Sequence, residues 1–344
     1  MTNISAKQPI ITPAVSNILF SSNFASATAL SAWSSASGEA RKQFSGVDAE
    51  TGFRWPTEGL PRDPGLQSYG ANIVIFHNYN TAATIVASPN SYGTVTIDSA
   101  IGPFGASVNQ MTITLLDSGL IDNGSNFPYG AQMHLEIPRV SGSGYVPPDI
   151  PDIYMSYWFK RPASMLSAMP VGQASVQWDF KSGGYNNQYG GDFRIVQELY
   201  KGADGLLYSL IRADRAANGT MTTDPGGILP FDAINSSGVF RYWQEIDKAV
   251  SVPVDTWNKL EIYIHRHQTN GICLAAINDN ITCYHVGRTL GEFENPWGRM
   301  YVVSDYSPVV PNSHTVCMLR IHDYPPAGSV LQMPAASLLY RYAA

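Results

Sequence analysis

Charge is scarce in this chain. Asp, Glu, Lys and Arg make up 14% of its 344 residues, against roughly a quarter in an average soluble protein. The net charge is -6 and no Lys/Arg run occurs, which argues against a nucleic-acid binder or a polybasic membrane partner. No apolar run reaches the about 18 residues of a transmembrane helix, so membrane insertion is not expected. The first twenty residues lack a charged stretch followed by a continuous apolar one, so no signal peptide is read there. The expectation is a protein that acts outside the cell or on a virion surface, either after a leader has been removed or by leaving another way, for example inside a phage particle. Cysteine is rare: Cys273, Cys283 and Cys317 are odd in number and show no metal-ligand spacing. Buried thiols are expected rather than a disulfide framework, with a Cys283–Cys317 pair left open. No fixed-period repeat appears, which disfavours a propeller or solenoid, and no long amphipathic helix can be drawn.

Turn formers and rings are abundant: Gly 30, Pro 23, Tyr 19 and Trp 7. Roughly fourteen short strands can be read at sandwich-like intervals. The readable stretches include 17–20, 71–76, 82–87, 93–97, 108–116, 132–138, 153–160, 175–181, 193–200, 206–213, 241–246, the hairpin at 257–277, 299–304, 316–322 and 337–342. Residues 31–80 read as irregular apart from the apolar run at 71–76. The fold expected is all-β, two antiparallel sheets packed as a jelly-roll sandwich with long decorating loops. Residues 1–16 form an extended arm and 17–344 a single jelly-roll domain. The VPPDIPD segment at 146–152 reads as a rigid connector.

The chain is organised around WNKLEIYIHRHQTNGICLAAINDNITCYH at 257–285. Leu260, Ile262 and Ile264 alternate with Glu261, Tyr263, His265 and His267, so one set faces a core and the other faces out. Thr269-Asn270-Gly271 and Asn278-Asp279-Asn280 supply turns, because Asn and Gly tolerate positive φ. Similar rows recur. Met133, Leu135 and Ile137 alternate with Gln132, His134 and Glu136. Val176, Trp178 and Phe180 are expected inward, with Gln177, Asp179 and Lys181 outward.

Four segments resemble the concanavalin A-like lectin/glucanase jelly roll, and within it polysaccharide lyases of the heparin-lyase, alginate-lyase and glucuronan-lyase type. They are NILFSSNF, AQMHLEIPR at 131–139, IYMSYWFKRP through VQWDFK at 153–181, and DTWNKLEIYIHRHQTNGICLAAINDN at 255–280. The likeness is a pattern of strands over most of 17–342, not a fixed string. His134 stands where the lyase strand offers Arg. FKSGGYNNQ at 180–188 is similar to an alginate-lyase string that normally lies near the chain end, and its mid-chain place here removes its weight.

The resemblance implies β-elimination on a uronate-containing glycan. Such a site neutralises the carboxylate, removes the C5 proton with a base and protonates the leaving oxygen with an acid. If the outward rows share one face, His265 or His134 is the base and Tyr263 the acid. Gln132, Gln177 and Lys181 hold the carboxylate, with Glu136 in the cleft. The competing reading makes these polar groups ordinary cross-strand partners on a solvated sheet. Tyr185, Tyr189, Tyr242 and Trp243 lie in or beside Gly/Asn loops, as sugar platforms or as pins for those loops. A retaining glucanase needs two carboxylates about 5 Å apart, and the nearest candidates, Asp179, Glu136 and Glu245, form no such string. No cofactor is required. Asp192, Asp204, Asp214 and Asn218 are candidate ligands for a structural Ca²⁺, but their spacing matches no loop motif. The expected partner is a polysaccharide, with the N-terminal arm as a contact for assembly. The second function class is a non-catalytic glycan-binding or structural jelly roll on a virion or filament.

Overall fold

A computed structural model describes residues 16–25, 28–36, 39–55, 73–77, 93–116, 129–134, 151–182, 193–216, 239–291, 297–307 and 309–332. In chain order the strands begin with β1 (Ile18–Ser22), β2 (Ala29–Leu30), β3 (Ser34–Ala36), β4 (Glu39–Ser45), β5 (Ile73–His77), β6 (Gly93–Ile101), β7 (Ser107–Leu115), β8 (Tyr129–His134) and β9 (Asp152–Lys160). After the short helix α1 (Ala163–Ala168) come β10 (Ala174–Ser182), β11 (Arg194–Lys201), β12 (Leu207–Ala216), β13 (Val239–Ser251), β14 (Asn258–His265), β15 (Gly271–Ile277), β16 (Asn280–Gly287), β17 (Trp297–Ser307) and β18 (Asn312–His322). The expected strands at 82–87 and 337–342, the second half of 132–138, and the arm at 1–15 lie outside the described residues. The stretch 31–80, read as irregular apart from 71–76, contributes β3 and β4. EARKQFS carries charge on a strand that pairs on both sides, and local pattern did not reveal it.

All pairing is antiparallel. One sheet has eight strands in the order β16-β15-β14-β9-β18-β7-β6, with β1 also on β18. The other has ten, in the order β13-β12-β11-β10-β17-β8-β5-β4-β2, with β3 on β4. The chain crosses between sheets at β1–β2, β5–β6, β7–β8, β8–β9, β9–β10, β13–β14, β16–β17 and β17–β18. This is the two-sheet antiparallel sandwich of a jelly roll. The first described strand pairs with the last described one, Ser21 opposite Arg320.

The core lies between the sheets. Leu260, Ile262 and Ile264 of β14 fill it from one side, as their period of two predicts. Met133, Trp178, Phe180, Ile195 and Ile211 fill it from the other. Phe44 stacks on Trp55 at 4.4 Å near one end. A fully buried ion pair ties the sheets together: Arg161, just after β9, donates to Asp305 of β17 at 2.9 Å. Ser175 and Asn312 donate to the same carboxylate.

Turn chemistry matched expectation at one turn and not at the other. Asn278 and Asp279 take φ of 50° and 62° between β15 and β16, the left-handed pair of a tight hairpin turn. Neither Asn270 nor Gly271 has positive φ. The β14–β15 turn is instead tied by His267, whose Nδ1 accepts from the Thr269 and Asn270 amides at 3.1 and 2.9 Å. Gly271 is required by space, since a Cβ there would lie 1.7 Å from Thr289 Oγ1. That hydroxyl donates to the His265 carbonyl at 2.6 Å and accepts from the His267 amide at 3.0 Å.

The thiols are free and buried. A Cys283–Cys317 bridge is excluded because β16 and β18 are separated by β15, β14 and β9, four strand spacings of about 4.8 Å each.

Candidate functional site

The polar rows legible in the sequence do not share one face. Tyr263 and His265 stand on the outer face of the eight-stranded sheet. Gln132, His134 and Lys181 belong to the ten-stranded sheet. Gln177 points between the two.

Gln177 was expected outward, and a β-bulge between Val176 and Trp178 reverses it. A bulge adds one residue and breaks the alternation. Val176 therefore packs outside against Val196. Gln177 turns inward, its Nε2 2.7 Å from His314 Nε2 and 3.4 Å from the Tyr157 hydroxyl. Burial, reinforced by nearby Arg161, pushes His314 well below the usual imidazole value, so the ring is neutral and accepts. Gln177 is a core residue that holds no substrate.

The outer face of the ten-stranded sheet collects the larger group. Register places Asp179 of β10 opposite Tyr301 of β17, and Tyr301 opposite His134 of β8. Lys181 Nζ lies 4.8 Å from the centre of the Tyr301 ring and 3.1 Å from Asp179. Gln132 donates to Ser304 at 3.4 Å on the same face. An ion ladder runs on from Asp179. Arg194 approaches Asp179 at 3.5 Å and grips Asp214 through Nε and Nη2 at 2.6 and 3.0 Å. Arg212 reaches Asp214 at 3.2 Å and Glu198 at 2.8 Å. Burial raises the Asp214 carboxyl, but the two guanidiniums outweigh it and hold the group below the ordinary range. Lys181 is 8% exposed and Asp179 is 1% exposed, yet Asp179 Oδ1 has no hydrogen-bond donor among the described residues. A buried carboxylate oxygen in that state calls for a donor, such as a hydroxyl. Glu136, Tyr185, Tyr189, Asp192 and Asn218 lie outside the described residues.

On the opposite outer face, Asp152 joins two strands. Its Oδ1 accepts from the Tyr263 hydroxyl at 2.6 Å and lies 2.9 Å from His265 Nδ1. The bond to Asp152 raises the His265 pKa, and partial burial opposes it. The Tyr263 proton is thus committed to Asp152, and Tyr263 is nearly buried under Tyr324 and Leu331. Its hydroxyl orients this cluster.

Trp243, expected beside an exposed loop, is buried at the sandwich edge where β13 meets β16. Its Nε1 donates to the Arg288 carbonyl at 2.6 Å, and its ring stacks on His285 at 3.9 Å. It pins the edge and offers no sugar platform. The Ca²⁺ set also separates. Asp214 is held in the ion ladder, whereas Asp204 precedes β12 and bonds the Tyr208 hydroxyl and the Leu206 amide.

The sequence reading missed Asp152, Tyr301 and the Arg194–Asp214–Arg212 ladder. The ladder had a signal, since Arg212-x-Asp214 and Arg194-x-x-x-Glu198 repeat with a strand's parity. Asp152 had none, because it lay in a stretch read as a connector.

No protein-family model matches this chain, and no curated protein matches it. Among solved structures it is similar to the alginate lyase Aly36B in complex with alginate trisaccharide, at 11% identity and TM-score 0.38, over 72% of this chain and 97% of that one. It is also similar to LamAcat from Zobellia galactanivorans, at 10% identity and TM-score 0.34, over 62% and 77%. A third is the botulinum neurotoxin serotype G binding domain, at 11% identity and TM-score 0.33, over 74% and 47%. Likeness at this level says nothing about activity.

Proposed function

We propose that the outer face of the ten-stranded sheet is a glycan site, and that the protein cleaves an acidic polysaccharide there by β-elimination. One observation carries this reading. Three neighbouring strands set Asp179, Tyr301 and His134 in a single cross-strand row, with Lys181 over the tyrosine ring. Lys181 and Gln132 neutralise and hold the uronate carboxylate, which makes the C5 proton removable. His134 takes that proton, the C4–O bond breaks, a C4=C5 double bond forms, and the Tyr301 hydroxyl protonates the departing oxygen. The orphaned Asp179 oxygen accepts from a sugar hydroxyl. Tyr301 takes the role that sequence alone gave to Tyr263.

The test is turnover on a panel of uronate polymers, followed by the ultraviolet absorbance of the unsaturated product. Wild type is expected to form product, and Tyr301→Phe and His134→Ala to lose it at least a hundredfold, the scale of acid–base catalysis. Product formation unchanged in both variants would sink the assignment.

The non-catalytic reading has its own support. His265 and His134 belong to strands of different sheets and Gln177 lies in the core between them, and within the described ladder three cations alternate with three carboxylates. Such a ladder can exist to fasten strands. Glycan retention without product from any uronate polymer would favour it.

A further inference from the structure

The outer face of the eight-stranded sheet carries an apolar feature that neither reading uses. The β6–β7 hairpin ends in Gly102-Pro103-Phe104-Gly105, a tight tip in which Gly105 takes φ of 77°. Phe104 is 69% exposed and Ile101 65%, among the most exposed large apolar side chains described. The tip is nevertheless held in place. Trp257 Nε1 donates to the Ile101 carbonyl at 3.0 Å. Phe104 meets Trp158 of β9 edge-on at 5.3 Å between ring centres. Since β18 lies between β7 and β9, the tip must cross the outer face of β18 to make these contacts. Cys317, the β18 residue opposite Trp158, is fully buried there. Lys160 sits 5.1 Å above the Trp257 ring and makes no ion pair among the described residues.

The exposed Phe104 and Ile101, held against the partly buried Trp158 and Trp257, form one contiguous apolar patch, the kind of feature that points to a binding surface. We propose that Phe104, Trp158, Trp257 and Lys160 form a second, non-catalytic shelf for an acidic glycan chain. Sugar rings lay their C–H faces on the aromatic rings, and Lys160 pairs with a carboxylate or sulfate at the ring edge. Size favours a glycan over a protein. Three partly exposed rings and one isoleucine offer on the order of 400 Å², about half of what one partner contributes to a standard protein interface. The shelf extends the glycan reading and does not depend on chemistry at the ten-stranded sheet, which faces the opposite way.

The experiment is affinity electrophoresis of the full chain through gels containing alginate, polygalacturonate or a neutral β-glucan, with thermal melts as a check on folding. Phe104→Ala should weaken retention by alginate or polygalacturonate about tenfold. Lys160→Gln should remove the preference for the acidic gels over the neutral one. Phe104→Ala should melt close to wild type, because Phe104 is 69% exposed, and a Lys160→Gln melt near wild type shows that its lost preference is not lost folding. Lys181→Gln, on the other face, separates this idea from the lyase assignment. If Lys181→Gln abolishes retention and Phe104→Ala leaves it intact, the shelf is overturned and the ten-stranded face stands. If Phe104→Ala abolishes retention and no uronate polymer is cleaved, the shelf stands and the lyase reading falls. No retention of wild type, or self-association that Phe104→Ala abolishes without any glycan binding, also overturns the shelf.

Discussion

Asp152 shows how much one side chain can depend on sequence-distant partners. It lies 113 residues from His265, and the two meet because β9 and β14 pair with Asp152 opposite His265. The hydrogen bond stabilises imidazolium, so the folded pKa of His265 exceeds its unfolded value of about 6.5. The resulting stabilisation is present in full below the unfolded value and is lost as pH rises through the folded one. Asp152→Asn should therefore lower the His265 titration midpoint, measured by NMR. The urea-midpoint gap between the two proteins should be widest below about pH 6.5 and narrow above it. An unmoved midpoint would show that Asp152 does not act on the ring. Tyr263 and His265 were legible in the sequence as outward residues. Their acceptor was not, because strand pairing is not written in local periodicity.

At the level of strands, alternation held wherever the ladder is regular and failed where it is bulged. Leu260, Ile262 and Ile264 face the core as read, whereas one extra residue in β10 sent Gln177 inward and Val176 out. The inter-sheet tie follows similar logic. Arg161 trails β9 and Asp305 sits beyond a bulge in β17, so neither advertises a buried charge in sequence. Removing one partner strands the other. Arg161→Met should lower stability by about 3–5 kcal/mol, read from urea unfolding. The pair Arg161→Met with Asp305→Leu should recover much of that loss, because apolar groups of similar volume often replace a buried ion pair at little cost. A double variant as weak as the single would indicate that Ser175 and Asn312 also need the carboxylate.

For the molecule as a whole, the sandwich has two outer faces with different chemistry. One carries a buried ladder of paired charge beside Tyr301, and the other carries Asp152–His265 and the exposed hairpin tip. Stacked sheets lie about 10 Å apart, and groups on opposite faces share no partners. Stability changes in Phe104→Ala and Lys181→Gln should thus add, the double variant matching their sum within about 0.5 kcal/mol. A larger coupling, measured by denaturant unfolding, would mean that the faces communicate through the core.

The sequence by itself determined that this is an all-β chain with two-faced strands, buried thiols and polar rows bearing His, Tyr, Gln and Lys. Composition and a period of two suffice for that, because both act within a few residues. Only the tertiary structure decided which outer surface each row occupies. Alternation separates inside from outside, but a sandwich has two outsides, and the choice between them is made by pairing strands such as β8, β10 and β17 across more than a hundred residues.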